Sequence, residues 1–215
     1  MNAPLFDDLL DQLRGAPTQQ MSQRLGLSPE STMQAVATAL PMLLGALHRN
    51  AQAEPGARSL LSALEVDHRG IDPANALGTA LAGGGSGAGI LGHVFGTRQP
   101  VAAEAVSNAT GLGPDRAGML LRLLAPVVMA YLARRLFTPR EADGPTTPQP
   151  SPDGLRTALG EEVTTLRERG NVHPALLSVL DRDRDGDVDL QDFTGAAATP
   201  LATQTAEMRS PRPLL

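Results

Sequence analysis

Residues 26–47 read GLSPESTMQAVATALPMLLGAL, and residues 111–132 read GLGPDRAGMLLRLLAPVVMAYL. The two stretches are copies of one pattern at an offset of 85 residues. Gly26-Leu27 matches Gly111-Leu112, Pro29 matches Pro114, Glu30 matches Asp115 and Pro41 matches Pro126. Each copy describes a short helix closed by glycine, a turn, and a long helix that starts on proline. The mid-helix proline removes a backbone donor and crowds the preceding turn, so a kink is expected there. Two such units bury their apolar faces against each other, as repeats do. The expected fold class is all-α.

Composition agrees with that reading. Of 215 residues, 41% are hydrophobic but only 2% are aromatic, with Tyr131 the sole tyrosine and no tryptophan. A core built from Leu, Ala, Val and Met favours packed helices over strands, which draw on β-branched and aromatic residues. With no cysteine, disulfides, thiolate metal sites and cysteine nucleophiles are excluded. Every basic residue is arginine. The net charge of −5 falls unevenly: residues 1–137 carry ten Arg and ten acidic residues, whereas 138–215 carry eight Arg and thirteen acidic residues. Neither half has the basic excess of a polyanion binder.

Outward from the repeat, further helices can be placed. Leu5, Phe6, Leu9, Leu10 and Leu13 share one helical face behind Pro4, and Gly15 and Pro17 stop that helix. A short helix over 18–25 is closed by Gly26, and Ser28-Pro29 caps the next, which runs to about Asn50. Helices are expected around 57–64, from Asp72-Pro73, around 90–95 and 101–109, and over 114–137. The glycine run at 83–89 reads as a flexible connector; no strand precedes it, and it lacks the Gly-Lys-Ser/Thr ending of a phosphate loop.

The kinked Leu40-Pro41-Met42-Leu43-Leu44-Gly45-Ala46-Leu47 helix, the glycine-rich middle, Ile90-Leu91-Gly92-His93-Val94-Phe95-Gly96 and the second Gly-Leu…Ala-Pro-Val-Val unit resemble the YidB-like bacterial family of unknown function, over about residues 5–136. The resemblance implies an all-helical bacterial domain and no particular reaction.

Residues 138–152 hold five prolines and no apolar period, which marks a linker between a domain at 1–137 and a second module at 153–198. In that module Leu155, Leu159, Val163 and Leu166 form an apolar stripe; the adjacent Glu161-Glu162 reads as a solvated face. A short helix over 175–180 then enters Asp181-Arg182-Asp183-Arg184-Asp185-Gly186-Asp187-Val188-Asp189-Leu190-Gln191-Asp192. The tail at 199–215 reads as disordered.

That twelve-residue stretch has the pattern of an EF-hand calcium loop. Calcium takes six to eight oxygen ligands, supplied from loop positions 1, 3, 5, 7, 9 and 12. Those positions are Asp181, Asp183, Asp185, Asp187, Asp189 and Asp192, with Asp187 contributing its backbone carbonyl and Asp189 acting through water. Gly186 occupies the sharp turn at position 6 and Val188 the inward apolar position 8. A solvated acidic run explains neither the alternation nor these two residues. Asp192 stands where glutamate is usual, as in dockerin loops; its shorter arm weakens bidentate capture. No second loop is present: Asp67-His68-Arg69-Gly70-Ile71-Asp72 is too short. A structural or weakly responsive calcium site is therefore expected rather than a calmodulin-like sensor, with magnesium as the other candidate ion.

Two further functional classes stay open. One is an interaction protein that binds a protein partner or self-associates. The other is a helix-turn-helix DNA-binding regulator using Thr18–Val36, against which stand the neutral charge of the domain and the apolar character of the second helix. The histidines His48, His68, His93 and His173 are scattered, and no nucleophile–base pair is present, so no enzymatic activity is expected. Met1–Asp8 carries no basic or long apolar leader, and Leu123–Ala133 is shorter than the roughly 20 residues of a bilayer span. A cytoplasmic protein without a transmembrane segment is expected.

Overall fold

The computed structural model describes residues 4–84, 86–137 and 150–170. Among these residues the secondary structure is helical and without strands: α1 (Leu5–Leu13), α2 (Ala16–Leu25), α3 (Pro29–Gln52), α4 (Glu54–Asp67), α5 (Pro73–Leu81), α6 (Gly87–Phe95), α7 (Gln99–Thr110), α8 (Pro114–Phe137) and α9 (Pro152–Glu168), with a 3-10 turn at Gly96–Arg98. The all-α class read from the sequence is what the chain adopts.

The repeat extends to backbone detail. Gly26 and Gly111 close α2 and α7 in the left-handed conformation, with φ of 67° and 72°. Their N–H groups donate to the carbonyls of Ser22 and Ser107, themselves 85 residues apart. Both long helices, α3 and α8, have 24 residues. Ser28 caps α3 by accepting from the Ser31 N–H at 3.1 Å, and Asp72 caps α5 by accepting from Ala74 N–H at 2.8 Å. Each long helix continues through its internal proline, and both prolines are buried.

Helices α3 and α8 form the centre. Residues 39–47 of α3 and 123–133 of α8 are buried without a break. A helix buried all round needs cover on every side, and the covers come from both halves of the chain. Helix α2 packs on α3 and α8; α7 packs on α8 and α3. Helix α5, from the first half, lies along α8, while α9, which follows the second half, lies along α3. Helices α4 and α6 fill in beside α3 and α8 respectively. Leucines, alanines, valines and methionines from these elements form a continuous core, which also takes in Leu155, Leu159 and Leu166 of α9.

Helix α8 is long and apolar enough to cross a membrane by length and composition, but 78% of its most apolar window is buried inside the bundle. Its hydrophobicity is used against other helices.

The glycine run differs from the connector expected over 83–89. Residues 87–89 are already the first turn of α6. Pro126 has no N–H to give the carbonyl four residues earlier, so Arg122 O lacks its usual helical donor. Gly87 sits against that carbonyl: a Cβ at residue 87 would lie 2.2 Å from Arg122 O. This glycine is there for close approach between α6 and α8. Gly87→Ala should therefore destabilise the protein by about 1–3 kcal/mol, an overpacking cost. Gly89→Ala, where a Cβ meets nothing within 4 Å, should be neutral or stabilise by about 0.5 kcal/mol. Urea unfolding of the two variants checks the contrast.

Candidate functional site

The loop aspartates Asp181, Asp183, Asp185, Asp187, Asp189 and Asp192, together with His173, lie outside the described residues. The described chain reaches Gly170, eleven residues before the first of them. What the structure places is α9, the helix that leads toward the loop.

Ser151 caps α9 by accepting from Gly154 N–H at 3.1 Å, and Pro152 occupies the first turn. The buried stripe is Leu155, Leu159, Glu162 and Leu166, with Val163 only half-buried. The stripe thus passes through Glu162 and not Val163, and the solvated reading of Glu161-Glu162 holds for Glu161 alone. Glu162 is 6% exposed. Its two carboxylate oxygens accept hydrogen bonds from the backbone N–H groups of Leu5, at 2.7 Å, and Phe6, at 2.9 Å.

The physical reason lies in α1. The first N–H groups of a helix have no partner within it, and Pro4 at the cap position supplies no side-chain acceptor. A carboxylate there satisfies two donors and meets the positive end of the helix dipole. Helix α9 serves the opposite end of α3 in the complementary way. Arg156 Nε donates to the carbonyl of Ala51, in the last turn of α3, at 3.1 Å. Arg169 pairs with Asp7 at 2.6 Å on the more exposed rim. One helix thus gives an acid to a helix N-terminus and a base to a helix C-terminus.

Two titratable groups of the bundle have shifted acidities. His48 packs under Gly160, where a Cβ would come within 3.1 Å of its ring, and its Nε2 is within hydrogen-bond distance of the Gln52 amide. Burial, and after it the nearby Arg167 charge, hold His48 below the usual histidine pKa. Tyr131, in the middle of the core, donates to the Asp8 carboxylate of α1 and accepts from Arg135 at 3.2 Å. Burial, then the hydrogen bond to Asp8, push its pKa up to about 12.

Elsewhere, a cleft of about 380 Å³ opens between α4 and α6. Leu47, Leu60, Ile90 and Met129 line it, with His68 and His93 among its polar residues. The His68 ring Nδ1 lies 3.1 Å from the Ala63 carbonyl; His93 is exposed. Among the described residues, no three His, Cys, Asp or Glu side chains gather as a metal-binding group. Helix α3, the second helix of the helix-turn-helix-like stretch, is buried all round over 39–47, and its exposed start is Pro29, Glu30, Ser31 and Gln34. That leaves it little basic or free surface to lay in a DNA groove.

The family described as "Bacterial protein of unknown function (DUF937)" matches residues 7–135. No curated protein and no solved structure matches the chain.

Removing the Glu162 carboxylate strands two buried N–H groups. Glu162→Ala should cost about 2–4 kcal/mol of stability, read as a lower urea midpoint. Tyr131 provides a pH test. Its folded pKa lies above the ordinary 10.0, so folding favours the neutral phenol. The corresponding stability is complete below pH 10 and is lost as pH rises toward about 12. Tyrosinate absorbance, which here reports a single residue, should titrate late in the folded protein, and Tyr131→Phe should flatten the alkaline fall in the urea midpoint.

Proposed function

The chain belongs to this bacterial family of unknown function, and for it we propose calcium-ion binding through a single EF-hand-type loop at residues 181–192, joined to a helical scaffold. The family match supplies the scaffold and ends before the loop, so the metal reading rests on the loop itself. The observation that carries it is the alternation of Asp181, Asp183, Asp185, Asp187 and Asp189 around Gly186 and Val188, closed by Asp192. Hard oxygen donors at that spacing suit Ca²⁺, with Mg²⁺ a poorer fit because it demands a tighter octahedron. Six carboxylates this close repel one another without a cation, so the ion and the closed loop stabilise each other. The chain has no catalytic role in this reading. The YidB-like label is the finer form of the family assignment and is supported by the Leu40–Leu47 and Ile90–Gly96 motifs.

A second reading, a non-enzymatic interaction protein, draws on the cleft between α4 and α6, which is apolar at its base and of a size that accepts a small ligand or a partner's side chains.

Titration of the full chain with CaCl₂ after chelator treatment tests the calcium reading. Saturable binding of one ion is expected, in the range of about 10⁻⁴–10⁻³ M typical of weak modules or tighter. Asp181→Ala and Asp185→Ala should each abolish saturation, and Asp192→Glu should tighten binding by restoring the longer bidentate arm. Parent-like binding in both alanine variants would overturn the assignment.

A further inference from the structure

We propose that the start of α1, the C-terminal part of α3 and α4 together form a helix-docking groove, that α9 is its resident ligand, and that a partner helix carrying Leu, Leu, Glu and Leu at i, i+4, i+7 and i+11 displaces α9. The proposal stands apart from the calcium reading.

Four observations carry it. First, α9 packs on α3, α4 and α1, elements that end at Asp67, although α9 itself follows α8. The fourteen residues between Phe137 and Pro152 span at most about 50 Å when extended, enough for α9 to leave the groove while the rest of the bundle keeps its covalent path. Second, the contact is read by directional groups as well as by apolar area. The groove presents the Leu5 and Phe6 N–H groups to an acid, the Ala51 carbonyl to a base, and the Asp7 carboxylate to a second base. These demands belong to the groove and persist whichever helix fills it. Third, the apolar part of the match is concentrated in three side chains: Leu155, Leu159 and Leu166 are the hydrophobic side chains of α9 that are fully buried. Fourth, the groove apart from Leu5 and Phe6 lies within the span that matches the family, residues 7–135, while α9 lies beyond it.

The partner that fits is an amphipathic helix with a glutamate two turns after its first leucine and an arginine beside that leucine, as Arg156 stands beside Leu155. An intramolecular ligand on a short connector competes at an effective concentration of about millimolar. External helices therefore bind weakly until the resident contact is loosened.

The test uses the full chain and a fluorescein-labelled peptide of residues 150–170, read by anisotropy. Saturable binding is expected, at least tenfold tighter to the full chain carrying Glu162→Gln, and at least tenfold weaker when the same substitution is placed in the peptide. Arg156→Ala in the full chain, which removes a cap without stranding a buried carboxylate, should also tighten binding of the parent peptide and serves if Glu162→Gln does not fold. The proposal is overturned if folded Glu162→Gln and Arg156→Ala chains take up no peptide, because α9 is then a fixed core helix. It is equally overturned if glutamine in the peptide leaves affinity unchanged, because binding then occurs elsewhere.

Discussion

Helices α3 and α8 each run through a stretch that is buried on every side, and the rest of the architecture answers the need to cover them. A helix with no polar face cannot lie at a surface, and two of them packed together still leave most of their circumference bare. The chain covers each with a short helix from its own unit and another drawn from elsewhere: α5 crosses to α8, and α9 returns to α3. Helices contributed in this crossed manner tie the two halves into one core. Glycine lets these aliphatic helices approach closely, as where Gly87 meets the carbonyl that Pro126 leaves without its helical donor.

Polar groups at helix ends set the second constraint. In a core this poor in aromatic and polar side chains, an unpaired backbone group is costly, so the few buried polar contacts fall at helix ends. Glu162 on α1 and Arg156 on α3 are of this kind. The Asp8–Tyr131 contact fixes α1 to α8 by a similar device, with a neutral phenol serving a carboxylate.

The bundle was legible where its signals are local. The 85-residue offset, the Ser28 and Asp72 caps, the glycine stops and the bounds of α8 all follow from residues within a turn or two of one another, and the structure has them where those residues stand. Glu162 was not legible, because its partners lie 156 and 157 residues away and an acid pair beside arginines looks like solvent-facing helix. The periodicity of α9 allowed either position 162 or 163 inward, and only the α1 terminus decides between them. Gly87 was misread for a related reason: glycine freedom and glycine thinness leave the same letter in a sequence. The metal-loop aspartates carry their own signal in their spacing, independent of the bundle.

The crossed covering also has an order in time. Residues 5–67 build the groove on α3, but α9 is made only after another 84 residues, counted from the end of α4 at Asp67 to the start of α9 at Pro152. At a synthesis rate of roughly 5–20 residues per second, the nascent chain waits about 4–17 s for its last cover. Until α9 is made, the contacts it supplies to the α1 terminus and to the end of α3 cannot form.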